Sequence, residues 1–275
     1  MHILFIGYGK TSQRVAKQLF MRGHQISAVS RHPKPADFAD HITQDIHTLD
    51  LSGCRPIDWV YVLLSPESSD PANYRHTYLE SVQPIADVLK HHPVQRVVVV
   101  SSTRVYGAQQ SGEWVDDHTI PEPADEQAKY LLAMEQAWHQ AYPQRSIVVR
   151  PSGIYGNSVA RMCKLAQSTQ TYPAVHYSNR IHIDDLAGFL AYLTTLDSFK
   201  PVYLVSDGQP YPLHEIIQWF QLQLHLPQLQ LERTCLTGKR IMARDFIASG
   251  YELQSPDCFS VYRAQLDSTA PTAQD

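Results

Sequence analysis

The chain has 275 residues, of which 43% are hydrophobic and 18% charged, and it carries a formal net charge of -4. This composition is that of an ordinary globular protein, and the weak acidity gives no reason to expect nucleic acid or an anionic membrane as a partner. Because the four cysteines form no CxxC pair, no basic leader follows Met1 and no apolar stretch approaches the roughly 20 residues that span a bilayer, we expect a cytoplasmic protein without a structural metal.

Short apolar runs rich in β-branched residues recur along the first part of the chain, and turn formers bound each of them. They predict buried parallel strands over 3–6, 25–30, 58–64, 96–102 and 146–150. Apolar residues at helical spacing predict helices between these strands, over 10–22, 72–91 and 124–141. The alternation predicts an α/β protein with a doubly wound parallel sheet, whose ligands bind at the carboxyl ends of the strands.

The last part of the chain has a looser pattern, with shorter helices, prolines and more polar residues. Within it, HIDDLAGFLAYL (182–193) predicts a helix, with Asp184 or Asp185 as its N-cap and first-turn acid. The run PVYLVSDG (201–208) predicts a strand that rejoins the main sheet. A smaller lobe is therefore expected to interrupt the sheet-forming part of the chain.

The first predicted strand ends at Gly7-Tyr8-Gly9-Lys10-Thr11-Ser12, which leads directly into a helical pattern. A GxGxx(G) pattern in this context is typical of dinucleotide binding, because the glycines permit a tight turn and let backbone N–H groups approach a pyrophosphate. Ser12 stands where a third glycine is usual, and its hydroxyl could donate a hydrogen bond to a phosphate. The alternative is a plain strand–helix turn.

The end of the second predicted strand bears on the choice of cofactor. An NAD site places a carboxylate there for the ribose 2′-hydroxyl, whereas this chain has Ser30 and Arg31, followed by His32 and Lys34. A guanidinium and a hydroxyl suit a 2′-phosphate, which they bind through charge-assisted hydrogen bonds. We therefore predict that NADP(H) is favoured over NAD(H), the alternative being a solvated basic loop.

Further motifs lie in order along the rest of the chain. They are VVVVSSTRVYG (97–107), RPSGIYG (150–156), RIHIDDLA (180–187) and YLVSDGQP (203–210). Together with GYGKTS (7–12) they resemble the extended and atypical short-chain dehydrogenases/reductases, specifically the NAD-dependent epimerase/dehydratase family. The resemblance covers nearly the whole chain and implies a Rossmann domain, a bound nicotinamide dinucleotide and a small, discontinuous C-terminal lobe that closes over the substrate.

The predicted domain boundaries follow from this resemblance and from the change in pattern. The nucleotide-binding domain covers 1–156 and about 181–207, the substrate lobe covers 157–180 and 208–267, and a flexible tail covers 268–275. Family members often form homodimers through two helices that flank the sheet. Here those would be the helices predicted over 72–91 and 124–141, whose mixed outer faces leave the oligomeric state open.

The resemblance also implies roles for single residues. Ser102 matches the catalytic Ser/Thr, whose hydroxyl would donate to the substrate's carbonyl oxygen, and Lys129 matches the helix lysine that touches the nicotinamide ribose. Either residue could instead be structural. Besides Gly7, Gly9, Lys10, Thr11, Ser12, Ser30, Arg31 and Lys129, the residues expected to border the cofactor are Asp45, Ile46, Leu64, Ser65, Pro66, Ser101, Pro151, Gly153 and Ile154.

The chain departs from the family pattern in PADEQAKY (123–130). Active members carry Tyr four residues before the lysine, and Asp125 occupies that position here. The aspartate side chain is shorter, and Lys129 one turn away would favour its ionised form, which cannot act as a general acid. Tyr155 is the first candidate to replace the missing acid, although a structural role is the alternative.

Two functions remain open at this point. The first is an NADP(H)-dependent reductase, epimerase or dehydratase that acts on a carbonyl or hydroxyl of a small, sugar-like substrate. Arg180, Lys239 and Arg240 could meet an anionic group of that substrate. The second is a non-catalytic NADP(H)-binding redox sensor or regulatory protein that has lost its tyrosine.

Overall fold

The computed structural model describes residues 1–35 and 37–269. Its strands are β1 (His2–Ile6), β2 (Gln25–Ser30), β3 (Asp40–Thr43), β4 (Trp59–Val62), β5 (Arg96–Val100), β6 (Ser111–Asp116), β7 (Ser146–Pro151), β8 (Gly153–Tyr155), β9 (Thr171–Tyr172), β10 (Val175–Ser178), β11 (Arg180–His182), β12 (Val202–Val205), β13 (Tyr211–Pro212), β14 (Gln230–Leu231) and β15 (Leu236–Met242). Its α-helices are α1 (Lys10–Met21), α2 (Pro71–Tyr74), α3 (Val82–Leu89), α4 (Glu126–Ala141), α5 (Ala160–Ser168), α6 (Ile183–Tyr192), α7 (Leu213–Gln223), α8 (Arg244–Ala248) and α9 (Cys258–Thr269). None of these helices has the length and apolarity that crossing a bilayer requires.

The chain folds into two compact units, each drawn from separate stretches of sequence. The first unit comprises Met1–Ala108, Ile120–Pro151 and Leu186–Leu204, and the second comprises Gln109–Thr119, Ser152–Asp185 and the chain from Val205 onward. This division differs from the predicted one, which places 109–119, 152–156, 181–185 and 205–207 in the first domain. Residues 111–116, for example, form β6 in a sheet of the second unit. Most of the predicted tail, 270–275, lies outside the described residues.

A seven-stranded sheet forms the centre of the first unit. Its strand order is β12-β7-β5-β4-β1-β2-β3, and the pairings among β1, β2, β3, β4, β5 and β7 are parallel. The strands β1, β4 and β7 are buried along their whole length, as expected for strands covered on both faces. The predicted α/β fold with a doubly wound parallel sheet is confirmed. Because the strand order reverses between β1 and β4, the carboxyl ends of these strands open a crevice suited to a ligand.

One predicted helix of this unit is interrupted. The run 72–91 consists of α2, a π-helical turn over Arg75–Leu79, and α3. Pro84 lacks an N–H, and its ring would clash with the carbonyl of residue 80 in a continuous helix. The Ser81 hydroxyl also donates to the Thr77 carbonyl (2.7 Å), an i→i−4 side-chain bond that often bends a helix. The sequence prediction of one continuous helix is therefore wrong.

The start of α6 also differs from the prediction. The helix begins at Ile183, so Asp184 and Asp185 both lie in its first turn and neither is the N-cap. Asp185 is fully buried, and its carboxylate accepts the backbone N–H groups of Gln254 (2.7 Å) and Ser255 (2.9 Å). This aspartate therefore holds the loop that precedes α9.

The second unit is built on a four-stranded mixed sheet with the order β13-β10-β15-β6. Strand β10 is antiparallel to β13 and parallel to β15, which is in turn parallel to β6. Two short parallel pairs, β8 with β11 and β9 with β14, complete its strands. Its apolar core lies mainly among α5, α7 and α9 and contains Val159, Ala166, Ile216, Ile217, Phe220, Leu229, Cys258 and Tyr262.

Candidate functional site

The turn between β1 and α1 requires glycine at its first position. Gly7 has a φ of 89° and donates its N–H to the Val29 carbonyl (2.9 Å). A Cβ on Gly7 would collide with the carbonyl oxygen of Leu63, just beyond β4. Both the dihedral angle and the close approach of the two strand ends therefore depend on this glycine.

Gly9 is a glycine for a different reason. Its φ of -84° is open to any residue, and an added Cβ would meet no atom of the described residues within 4 Å. The fold by itself does not need a glycine at this position. The open space at the start of α1 is what a phosphate needs in order to approach the backbone closely.

The first turn of α1 presents backbone donors to this space. The first i→i−4 bond of α1 runs from the Gln13 N–H to the Gly9 carbonyl (3.0 Å). The amides of Lys10, Thr11 and Ser12 come before it and therefore make no such bond within the helix. Gly9 has no side chain with which to cap them. Together with the helix dipole, these amides make the turn a suitable anion site.

Ser12 acts inside the turn. Its buried hydroxyl donates to the Gly7 carbonyl (2.7 Å), which ties the helix to the end of β1. The single hydroxyl proton is thereby used, so the expected hydrogen bond from Ser12 to a phosphate is not supported.

A cavity of about 280 Å³ opens next to this turn, at the carboxyl ends of β1, β2, β3 and β4. It is lined by Gly7, Tyr8, Gly9, Val29, Ser30, Arg31, His32, Lys34, Asp45, Ile46, His47, Leu63, Leu64, Ser65, His76 and Thr77. Eight of the residues predicted to border the cofactor thus line one cavity: Gly7, Gly9, Ser30, Arg31, Asp45, Ile46, Leu64 and Ser65.

The cationic wall of the cavity lies at the end of β2. Arg31 reaches the Glu67 carboxylate (Nη1–Oε1 2.6 Å), and both side chains are about half exposed. The Ser30 hydroxyl donates to the His32 carbonyl (2.8 Å), and this bond fixes the backbone on either side of Arg31. Lys34 lines the same cavity and adds a second positive charge there, and His32 also lines it.

The lining of the cavity also includes two stacked imidazoles. The rings of His47 and His76 lie 4.0 Å apart and nearly parallel, and Nδ1 of His76 is 3.2 Å from the Glu80 carboxylate. Burial and the neighbouring His76 lower the pKa of His47. Asp45 accepts the His47 N–H (2.8 Å) and thereby starts the short 3-10 turn Ile46–Thr48.

These features fit the adenosine diphosphate part of a dinucleotide. The amides that precede the first helical hydrogen bond of α1 and the open space beside Gly9 suit a pyrophosphate, and the cavity walls beyond β2 and β3 suit an adenosine. A model of the NAD(P)H-binding family matches residues 7–194. The chain belongs to this family.

Individual relatives agree over nearly the full length. The chain is 24% identical to the protein YeeZ of Escherichia coli K12, over 93% of this chain and 96% of YeeZ. It is similar to the structure of a candidate NAD-dependent epimerase/dehydratase from Methylobacillus flagellatus, with 28% identity, a TM-score of 0.79 and coverage of 97% and 98% of the two chains. The human epimerase family protein SDR39U1, solved with NADPH, has 20% identity, a TM-score of 0.74 and coverage of 97% and 99%. The resemblance to extended short-chain dehydrogenases/reductases is confirmed.

Several residues that the family resemblance assigned to the cofactor lie elsewhere than in this cavity wall. Lys10 and Thr11 are the first two residues of α1, with Ser12 buried behind them, and Pro66 follows Ser65 in the loop after β4. Pro151 ends β7 in the first unit, whereas Gly153 and the half-exposed Ile154 belong to β8 in the second. Ser101 is buried beyond β5, and its hydroxyl has no hydrogen-bond partner among the described residues.

Ser102 has a hydroxyl whose proton is available. It is the N-cap of the 3-10 turn Thr103–Val105, where its oxygen accepts the Arg104 N–H (3.1 Å). Accepting this bond leaves the hydroxyl's own hydrogen to be donated. The geometry therefore matches a donor to a substrate oxygen, besides the capping role.

Asp125 is engaged on two sides. It is the N-cap of α4, where it accepts the Ala128 N–H (2.7 Å), and it pairs with the Arg104 guanidinium (Nη2–Oδ2 3.0 Å). Although partial burial acts to raise it, these hydrogen bonds hold the pKa of Asp125 below its usual value. Arg104, rather than the exposed Lys129, is thus the cation that keeps this carboxylate ionised.

Tyr155, the candidate for a replacement acid, has structural contacts, as have Tyr106 and His176. The Tyr106 hydroxyl is buried against Arg150 (2.6 Å), and Nδ1 of His176 lies 3.0 Å from the Thr237 hydroxyl. Tyr155 donates to the Ser255 carbonyl (3.4 Å) and packs edge-on against His182. Burial raises the pKa of its phenol, which keeps the proton in place at neutral pH.

The cations proposed for an anionic substrate lie in the second unit. Arg180 is buried and bonds the carbonyl (3.2 Å) and hydroxyl (3.0 Å) of Ser178. Arg240 lies over the rings of Trp114 and Tyr177, at 4.7 and 5.0 Å, and donates to the Gly112 carbonyl. Burial lowers the pKa of the neighbouring Lys239.

Proposed function

We propose that this NAD(P)H-binding protein is an NADP(H)-dependent enzyme of the oxidoreductase, epimerase or dehydratase type, acting on a small carbonyl or hydroxyl substrate. The observation that carries the cofactor part is the open space beside Gly9 at the start of α1, next to a wall with Arg31 and Lys34. The amides of α1 would hold the pyrophosphate, and Arg31 would hold the 2′-phosphate.

The residues proposed for the chemistry have distinct tasks. A bound nicotinamide would supply hydride transfer. Ser102 would donate its free hydroxyl hydrogen to the substrate oxygen, and Lys129 on α4 would keep the local potential positive. Asp125 would position Arg104 and the start of α4 rather than transfer a proton. Tyr155, still protonated at neutral pH, is proposed as the proton donor. Arg180, Lys239 and Arg240 are the cations proposed to meet an anionic, sugar-linked substrate.

A titration with NADPH and NADH, followed by intrinsic fluorescence, tests the cofactor assignment. Arg31→Ala should weaken NADPH binding about tenfold, since it removes a charge-assisted contact to phosphate, and should leave NADH binding nearly unchanged. Arg161→Ala, an exposed arginine on α5, is the matched control. Tighter binding of NADH than NADPH, with no effect of Arg31→Ala, would contradict the assignment.

The catalytic assignment is tested with NADP+ and a panel of nucleotide sugars and small alcohols. Ser102→Ala should lower kcat/KM by roughly 10²–10³, as expected for the loss of one donor to a developing oxyanion, without changing NADPH affinity. Tyr155→Phe belongs in the same panel, where a loss of turnover with unchanged NADPH affinity would support its proton-donor role.

A second function rests on the state of Asp125. Its carboxylate is held ionised as a helix cap and ion pair, so the usual position of the catalytic tyrosine offers no acid. A non-catalytic NADP(H) sensor would need only the binding turn. Absence of turnover across the panel, together with tight and selective NADPH binding, would favour the sensor over the enzyme.

A further inference from the structure

The loop after β4 presents a carboxylate to the cationic end of β2. Glu67 lies 2.6 Å from Arg31 (Oε1–Nη1), and their side chains are 62% and 48% exposed, respectively. An ion pair this exposed contributes little to stability, so a ligand can separate the two groups at small cost. Glu67 comes two residues after Ser65, which lines the dinucleotide cavity from the same loop.

The loop that carries Glu67 is fixed by side chains. The Asn73 amide oxygen accepts the backbone N–H groups of Glu67 (2.9 Å) and Ser68 (3.4 Å), and Asp70 in turn accepts the Asn73 N–H (2.9 Å). Gln127 on α4 donates to the Ser69 carbonyl (2.7 Å). These bonds fix the backbone of Glu67, and therefore the starting point of its side chain, beside the Arg31 guanidinium.

The chemistry of this carboxylate complements that of the guanidinium. A dinucleotide site selective for NAD(H) uses a carboxylate to accept the ribose 2′-hydroxyl, and a phosphate at that position is repelled by it. The end of β2 has Ser30 and Arg31 instead. Glu67, in the loop after β4, supplies a carboxylate to this guanidinium, although β1 lies between β4 and β2 in the sheet.

We propose that Glu67 is a specificity-determining residue of the cofactor site, which makes the site able to hold either dinucleotide. Its carboxylate accepts the 2′-hydroxyl of NAD(H), and it competes with the 2′-phosphate of NADP(H) for Arg31. The preference for NADP(H) is thereby moderated by an internal competitor. This inference rests on the proposed cofactor function of the same cavity.

Titrations of Glu67→Gln with NADPH and NADH test the proposal. Kd for NADPH should fall roughly three- to tenfold, the range expected for one exposed charge contact, while Kd for NADH rises by a similar factor. Titration with 2′-AMP and 5′-AMP should show the same opposite changes, which assigns them to the ribose 2′ position. Glu252→Gln, an exposed glutamate of the second unit, should change neither.

Opposite changes for the two cofactors support the proposal, and equal changes or none overturn it. Glu67→Asp, which keeps the charge on a shorter side chain, should lie between the wild type and Glu67→Gln. If the wild-type protein binds neither dinucleotide, both the proposed function and this inference fail. If it binds both and Arg31→Ala is selective while Glu67→Gln is not, only the inference fails.

Discussion

At the scale of single residues, the two glycines of the turn between β1 and α1 have different structural roles. Gly7 meets a steric demand of the fold, since it has a positive φ and lies against the Leu63 carbonyl. Gly9 meets no such demand, because open space adjoins it. A sequence motif of two glycines thus combines one residue needed for folding with one that the fold does not need.

Substitution of the two glycines by alanine should separate these roles. Gly7→Ala should lower the free energy of unfolding by at least about 2 kcal/mol, since it adds backbone strain to a collision. Gly9→Ala should cost less than about 1 kcal/mol but weaken NADPH binding about tenfold or more, because the methyl group fills the space that a phosphate needs. Urea unfolding and fluorescence titration measure the two effects, and wild-type NADPH affinity in Gly9→Ala would refute this role of Gly9.

At the scale of elements, the position of an acidic residue at a helix N-terminus determines which groups it contacts. Asp125 begins α4 and pairs with Arg104, and Asp185 in the first turn of α6 binds the loop before α9. The π-helical turn before α3 places His76 against His47 at the cavity. A sequence pattern of apolar residues predicts that a helix exists, whereas such terminal contacts depend on distant segments.

Asp125 also gives a test at this scale. Asp125→Tyr would restore the tyrosine of the family pattern, but it should lower the free energy of unfolding by about 1–2 kcal/mol, because the cap of α4 is lost and Arg104 loses its partner. Asp125→Asn, which keeps a capping oxygen, should cost clearly less. Thermal and urea unfolding compare the variants. A tyrosine variant as stable as the wild type would show that the cap contributes nothing.

At the scale of the whole molecule, the sheet was predictable and the details of the site only partly. Five runs of β-branched residues predict five strands of the main sheet, and GYGKTS predicts the turn, because strands and tight turns leave local signals. The strand β6 was not predicted, since its partner β15 lies more than a hundred residues away. His47, His76 and Glu67 were missed because each meets its partner from a different segment of the chain. The break in the helix predicted over 72–91, which contains Pro84, was not predicted either.

The charge balance of the second unit leads to a pH prediction. Asp207 is buried, and one of its carboxylate oxygens has no hydrogen-bond partner among the described residues. Burial raises its pKa to about 6, with the nearby Asp185 and Asp257 adding to the effect and Arg180 opposing it. A carboxyl whose folded-state pKa is raised stabilises the fold below its unfolded pKa, and this contribution is lost as the pH rises through about 6.

Asp207→Asn, which stays neutral, should therefore stabilise the protein only at higher pH. At pH 8 its free energy of unfolding should exceed that of the wild type by about 2–3 kcal/mol, less the cost of burying the amide. The difference should shrink as the pH falls from 6 towards 4, where the wild-type carboxyl is also protonated.

Urea unfolding at pH 4.5, 6 and 8 measures this difference in the free energy of unfolding, with Asp267→Asn, at an exposed aspartate, as the control. Comparing variants at each pH cancels the opposite trend of carboxylates such as Asp125, whose pKa is lowered. A difference that is constant with pH would mean that Asp207 ionises as readily in the folded protein as in the unfolded chain.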